Sequence, residues 1–180
     1  MKEILTLGVI LGNILSFCAT ITDSISGSMK TRGKMIGVQT ISQLFYGASA
    51  FVLKGYSALV QNVIAIFRNI FVISEKKSRM LEWIFLALGV VFGIYFNNLG
   101  VMGLLPVLAN LEYTIAMFKF EDKLIPVKIA FLINTVLFAI FNIAIYNFIG
   151  FICNVAVAVS LVLYLVRNRK SSERPFLEDN

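Results

Sequence analysis

Two ionisable side chains, Arg68 and Glu112, lie well inside apolar stretches of the sequence. A charge in such a setting is costly, and it therefore points to a function. Each lies about six residues before the next polar loop, so the two would lie at matching depths. We predict that they pair in one conformation and form a gate. The alternative is that the Arg68 side chain extends to lipid headgroups, while Glu112 contacts Lys119 or an amide.

Uncharged polar residues recur at helical spacing in the same apolar stretches. Gln39, Gln43 and Tyr46 stand at i, i+4 and i+7, which is one face of a helix. Amides able to donate and accept hydrogen bonds suit a polar solute. We therefore predict a substrate-binding cavity lined by Asn62, Asn154, Gln39, Gln43, Tyr46, Asn13, Asn110 and Asn142. The alternative is that these residues only join neighbouring helices.

The residues needed for most enzymes are missing from the sequence. There is no histidine, and Cys18 and Cys153 stand alone in apolar runs, as small buried hydrophobic residues do. A lipid-modifying enzyme in the membrane would have to use Glu112, Arg68, Tyr113 or Cys18, and no spacing joins these residues. We predict no enzymatic activity, no catalytic residues, no metal and no cofactor.

Pro106 follows two glycines, Gly100 and Gly103, in the fifth apolar stretch. A proline inside a helix removes one backbone hydrogen bond and loosens the helix there. We predict that Pro106 acts as a hinge, and the alternative is a static kink. The pairs Gly8 with Gly12 and Gly89 with Gly93 have the small-xxx-small spacing that permits close helix packing.

The composition is that of an integral membrane protein. Hydrophobic residues make up 58% of the 180 residues and charged residues 14%, against about 45–50% and 25% in soluble domains. A membrane helix needs about 20 mainly apolar residues. Seven segments qualify, with the first read as a retained span and not as a signal peptide: Ile4–Ile21, Met35–Leu53, Ser57–Ser74, Leu81–Phe96, Leu99–Phe118, Lys128–Ile145 and Phe148–Val166.

The basic residues orient these spans. With seven spans, thirteen of the sixteen lysines and arginines fall on one side. The positive-inside rule then places the N-terminus outside and the C-terminus in the cytoplasm. The net charge of +6 is thus explained by short loops beside the membrane and its lipid headgroups, and we predict no nucleic-acid binding.

A shift of 92 residues superposes spans 1, 2 and 3 on spans 5, 6 and 7. Both triplets would start outside, so the repeat would be parallel, with span 4 as an inversion linker. We predict an all-α membrane fold of 3+1+3 helices. It comprises a first three-helix bundle (1–80), a linker helix (81–98), a second three-helix bundle (99–170) and a disordered cytoplasmic tail (171–180).

Three stretches resemble the YgjV family of bacterial inner-membrane proteins. They are GYSALVQNVIAIFRN from Gly55 to Asn69, LLPV from Leu104 to Val107, and Asn154 ahead of the basic tail. In architecture the 3+1+3 arrangement is similar to the SWEET sugar carriers, the PnuC vitamin transporters and the wider PQ-loop group. The chain departs from them because it has no Pro-Gln pair and a mid-span proline in only one repeat.

The likeness to the SWEET and PnuC proteins implies a carrier in the inner membrane, and the buried amides favour a small, polar, uncharged solute such as a vitamin, nucleoside or sugar. The absence of an ATP site and the scarcity of acidic residues favour facilitated diffusion by alternating access, although Glu112 leaves proton coupling open. The rival is a non-transporting scaffold or a subunit of a membrane complex. The oligomeric state is left open, and a homo-oligomer is compatible with seven spans.

The gate is testable by charge exchange. If Arg68 and Glu112 pair, Arg68→Glu and Glu112→Arg should each abolish solute uptake into vesicles, because each places like charges together. The double variant should regain uptake. A double variant as inactive as the single ones would contradict the pairing.

Overall fold

The computed structural model describes residues 7–74, 78–120 and 123–173, with side chains as far as residue 167. Over these residues it contains seven α-helices, a short 3-10 turn at Met102–Leu104 and no strand. The α-helices are α1 (Leu7–Ser28), α2 (Arg32–Val52), α3 (Tyr56–Ile73), α4 (Arg79–Tyr95), α5 (Leu105–Lys119), α6 (Leu124–Ala144) and α7 (Phe148–Glu173). The predicted all-helical fold and the number of helices are confirmed over these residues.

Helix α3 has the inside-out pattern of a membrane helix. Its polar residues Arg68 and Asn69 are 1% and 0% exposed, while Phe67 and Ile70 are 55% and 48% exposed. Large apolar side chains on the outside are stable in lipid, and polar ones are stable only where protein surrounds them. This distribution identifies the outer surface as lipid-facing.

Four helices are long and apolar enough to cross a membrane: Leu7–Ser28, Tyr56–Ile73, Leu124–Ala144 and Phe148–Arg167. Helices α4 and α5 are shorter, at 17 and 15 residues. Helix α2 has 21 residues, but glutamines and serines make up part of it. That all seven helices cross the membrane therefore stays a prediction.

The first helix differs from its predicted bounds. The prediction ended at Ile21, where the apolar run stops, but α1 continues for seven further residues to Ser28. Hydroxyl side chains stabilise this polar extension, because Thr22 and Ser28 donate to the carbonyls of Ala19 (2.5 Å) and Ile25 (2.8 Å). Consequently Asp23 lies inside the helix and not in a loop.

The last helix also runs past its predicted end. Helix α7 reaches Glu173, so the first three residues of the predicted tail are helical. Residues 174–180 lie outside the described part of the chain, and so do Lys76 and Lys77 of one predicted basic loop.

Six helices form a closed ring. In order around it, α1 packs on α2, α2 on α3, α3 on α5, α5 on α6, α6 on α7, and α7 on α1. Helix α4 packs outside the ring against α3 and α5. A two-fold axis through the ring would exchange α1 with α5, α2 with α6 and α3 with α7. The packing order is therefore compatible with the predicted parallel repeat.

Two turns between helices have the same backbone geometry. Lys54 and Tyr146, which are 92 positions apart, are the non-glycine residues with positive φ, at 59° and 56°. In each turn the next residue donates to a carbonyl five residues back, Gly55 to Ala50 and Asn147 to Asn142, both at 2.8 Å. This hydrogen bond is typical of a helix that ends in a left-handed residue. We call this side of the ring the turn end, and the opposite side, where α1 and α5 finish, the basic end.

Glycines let α1 and α4 approach their neighbours closely. A Cβ atom at Gly12 would lie 2.5 Å from Cγ of Leu53, and one at Gly93 would lie 2.6 Å from Cγ2 of Val107. Gly89 lies beside Gln61, which donates from Nε2 to the Gly89 carbonyl at 2.7 Å. The predicted role of these glycines in close packing within the protein is confirmed for Gly12, Gly89 and Gly93.

The substitution Gly93→Ala should lower the stability of the purified protein by about 1–3 kcal/mol, because the added methyl group would overlap Val107. The measurement is the thermal unfolding midpoint in detergent. The control is Gly37→Ala, since a Cβ atom at Gly37 meets nothing within 4 Å. Equal midpoints for the two variants would contradict the close packing of α4.

Candidate functional site

A polar cavity lies inside the helix ring. It is lined by Asp23 of α1, by residues of α2 and α3, by Tyr113 of α5, and by residues of α6, α7 and the turn between them. The remaining lining residues are Gln43, Tyr46, Ser49, Ala50, Ala58, Asn62, Phe131, Asn134, Thr135, Phe138, Phe141, Asn142, Ile145, Asn147 and Asn154.

The cavity is small in this conformation. Its interior volume is about 40 Å³, inside a wider space of about 570 Å³ that includes open solvent. One water needs roughly 10–15 Å³ of such interior volume, so the interior holds a few waters. Toward the basic end, the buried side chains of Met35, Met117, Val127 and Leu161 close the ring. A larger solute therefore requires the helices to move apart.

Five of the eight predicted binding residues line this cavity: Gln43, Tyr46, Asn62, Asn142 and Asn154. Tyr46 donates its hydroxyl hydrogen to Oδ1 of Asn154 at 3.3 Å, which joins α2 to α7. Asn142 accepts from Nδ2 of Asn147 at 3.0 Å. Asn62 donates to the carbonyl of Ala58, one turn earlier in its own helix, at 2.9 Å.

The other three predicted binding residues lie outside the cavity lining. Gln39 is one layer behind it and accepts from the Tyr113 hydroxyl at 2.7 Å. Asn13 joins α1 to the start of α7, because its Oδ1 accepts from the backbone N–H of Ile149 at 2.9 Å. Asn110 contacts Gln61 on α3. Helical spacing identified the buried face of each helix, but it could not show whether that face meets a cavity or another helix.

Asp23 is a cavity residue that the sequence reasoning missed. It is 5% exposed, and Ser42 donates to its Oδ1 at 2.5 Å. The predicted end of the first span at Ile21 placed it in a loop. The signal was the series Ser16, Thr20 and Asp23, which has the same i, i+4, i+7 spacing as the residues chosen in α2.

Arg68 is held by a network between α3 and α5. Its Nη1 donates to Oδ1 of Asn110 at 2.7 Å and to Oγ1 of Thr114 at 2.8 Å. Its Nε and Nη2 donate to Oδ1 of Asn69 at 3.2 and 3.1 Å, and its guanidinium carbon lies 5.0 Å from the centre of the Tyr113 ring. These acceptors and the ring replace water around a fully buried cation.

Glu112 does not meet Arg68 in this conformation. Its Oε1 is buried and has no hydrogen-bond partner, and its side chain lines a groove between α5 and α6 that also contains Lys119 and Pro126. The gate was predicted for one conformation of the protein, and it stays a prediction.

Pro106 lies in the first turn of α5 and not in the interior of a helix. The fifth span was predicted from Leu99, but α5 begins at Leu105 after the 3-10 turn. In a first turn the proline costs no helical hydrogen bond, so the argument for a loosened helix does not apply. The hinge itself stays a prediction.

Two basic residues join the halves of the ring at the basic end. Arg32, at the start of α2, donates to the carbonyl of Met117 near the end of α5. Lys128, near the start of α6, donates to the carbonyl of Gly27 near the end of α1 at 2.8 Å. Lys128 is fully buried, with its Nζ 3.1 Å from the centre of the Tyr164 ring. The sixth span was predicted to begin at Lys128, whereas α6 begins four residues earlier, at Leu124.

These features define the class of the protein. The helices form a ring with apolar side chains on its outside and with hydrogen-bonded amides, hydroxyls and Arg68 on its inside. This arrangement is that of a multi-pass membrane protein. The family model of Imp-YgjV, a bacterial inner membrane protein, matches residues 10–172. The chain belongs to this family, as the sequence motifs predicted, and it is located in the bacterial inner membrane. No curated protein and no solved structure gives a significant match.

The substitution Arg68→Gln should destabilise the protein by about 3 kcal/mol, because a shorter, uncharged side chain leaves buried acceptors unsatisfied. Thermal unfolding in detergent measures the effect. Arg79→Gln is the control, since Arg79 is exposed at the start of α4. A similar unfolding midpoint for both variants would contradict a structural role of the Arg68 network.

Proposed function

We propose that the protein is a carrier for a small polar solute, which binds in the cavity and crosses the membrane by alternating access. The single observation that supports this most is the polar cavity itself, because amides from α3 and α7 line the same space inside the helix ring. Asn62 and Asn154 both line it. Residues that only joined helices would leave no space between them.

The proposed architecture is two parallel three-helix units, α1–α3 and α5–α7, with α4 as the linker. Helix order around the ring and the two equivalent left-handed turns support it. The cavity lining supports it too, because several lining residues are 92 positions apart. These pairs are Gln43 with Thr135, Tyr46 with Phe138, Ser49 with Phe141, Ala50 with Asn142, and Asn62 with Asn154.

A cavity on the axis between two similar units suits alternating access. The two units can rock against each other and open first one end of the cavity and then the other. The closed interior of about 40 Å³ would be the occluded state of this cycle. The distribution of basic residues supports a cytoplasmic basic end. The likeness to the SWEET and PnuC transporters agrees with this cycle.

The proposed mode of transport depends on which energy source the protein could use: ATP, a proton gradient or the solute gradient. The sequence contains no phosphate-binding glycine loop of the kind that ATP-driven transporters use. We propose facilitated diffusion, driven by the solute gradient alone. Accumulation of solute in vesicles against its gradient, on imposing a proton gradient, would instead establish coupled transport.

Binding of a solute can be tested by thermal stabilisation of the purified protein. A ligand that binds only the native state raises the unfolding midpoint, and the rise grows with the logarithm of the ligand concentration relative to its Kd. We expect at least one solute in a screen of sugars, nucleosides, vitamins and amines to do so, and the same solute to enter vesicles containing the protein. A screen without any shift would favour the scaffold reading.

The substitutions Asn62→Ala and Asn154→Ala should each reduce the affinity for that solute about five- to thirtyfold, since one buried hydrogen bond contributes about 1–2 kcal/mol. The affinity is measured from the dependence of the unfolding midpoint on solute concentration. Asn98→Ala is the matched control, because Asn98 is exposed and donates to the Lys54 carbonyl in a loop. Unchanged affinity in both cavity variants would contradict the proposed site.

A further inference from the structure

The cavity contains a carboxylate without a basic partner. Of the described residues that line it, Asp23 is the one acidic side chain, and none is a lysine or arginine. Asp23 is nearly fully buried, and Ser42 donates its hydroxyl hydrogen to Oδ1 of Asp23 at 2.5 Å. A carboxylate surrounded by apolar helices favours a positively charged partner.

The buried basic residues of the chain are engaged elsewhere. Arg68 donates to Asn69, Asn110 and Thr114 between α3 and α5. Lys128 donates to the Gly27 carbonyl at the basic end and lies over the Tyr164 ring. No ion pair joins either of them to Asp23 among the described residues. The position next to the Asp23 carboxylate is thus open to a positively charged group on the solute itself.

Aromatic rings form much of the remaining wall. Besides the amides, the lining includes Tyr46, Tyr113, Phe131, Phe138 and Phe141. The face of an aromatic ring attracts a cation, and a cluster of rings is a common way to bind ammonium groups. A carboxylate surrounded by rings and amides matches a solute with a positive nitrogen and a hydrogen-bonding group. A bare metal ion would instead require more oxygen ligands.

We propose that the cavity binds a small organic cation, a solute that carries a protonated amine or a quaternary ammonium group, with Asp23 as its counter-charge. This inference rests on the proposed function, because the same cavity would bind the transported solute. It replaces the predicted uncharged solute, since that prediction was made with Asp23 outside the membrane-spanning helices.

Matched pairs of probes test the charge requirement on the unmodified protein. Choline is compared with 3,3-dimethylbutan-1-ol, its uncharged isostere, and ethanolamine with propan-1-ol. Each cation is added as its chloride in place of an equal concentration of sodium chloride. We expect a cation of at least one pair to raise the unfolding midpoint by about 5 °C at saturation, and its uncharged counterpart to give no rise.

The residue is tested with two carboxyl-to-amide variants. Asp23→Asn should abolish the stabilisation by the cation, because it removes the counter-charge and preserves the side-chain shape. Glu82→Gln is the matched control, since Glu82 lies in α4, outside the helix ring, and does not line the cavity. It should keep the full stabilisation. Size-exclusion chromatography of each variant shows whether it is folded.

The outcomes separate this inference from the proposed function. Equal effects of the charged and uncharged probes, or full stabilisation of Asp23→Asn, would overturn the cation site. So would a failure of all four probes. A shift caused by an uncharged sugar or nucleoside would then leave the carrier proposal standing. If a cation stabilises the protein through Asp23 but does not enter vesicles, the site is supported and the carrier proposal fails.

Discussion

Hydrocarbon offers no hydrogen-bond partner, and most of this structure follows from that constraint. The helices carry many amides, hydroxyls and charges for a membrane protein, and each must find its partner within the chain. Ser16 and Ser49 meet at 2.7 Å between α1 and α2, and Asn147 donates to the same Ser16 at 2.7 Å from the start of α7. Such contacts fix the order in which the helices pack, because exchanging two neighbours would leave polar groups facing lipid.

Buried polar groups find their hydrogen-bond partners in different ways on the two sides of Tyr113. On one side, Arg68, Asn110 and Thr114 form a continuous network with distances of 2.7 and 2.8 Å. A cation with this many acceptors at such short range is a structural element that joins α3 to α5. On the other side, Asp23 faces a space lined by amides and rings. Polar groups that border free volume can exchange partners with a solute, whereas groups locked into a network cannot do so without loss of stability.

Hydropathy and charge predicted the helical fold, the number of helices and most of their positions, because lipid imposes a length and a composition on each segment. Polar helix ends were less predictable. Helix α1 continues through Asp23 to Ser28 because its polar groups are satisfied inside the protein, and a hydropathy window does not record that. The inward face of each polar helix stripe was predictable from spacing, as Gln43 and Tyr46 show. Whether that face meets the cavity or another helix was not predictable, as Gln39 and Asn110 show. Tertiary packing decides which helix lies next to it.

The hydrogen bonds of Arg32 and Lys128 at the basic end have a consequence for cooperativity. Each runs from the second helix of one half to the end of the first helix of the other, Arg32 to Met117 and Lys128 to Gly27. A cation next to the last carbonyls of a helix also complements the negative end of the helix dipole. If the helix ends separated there, both contacts would break together. The two hydrogen bonds therefore resist small fluctuations, and any opening of the helix ring at this end would be concerted.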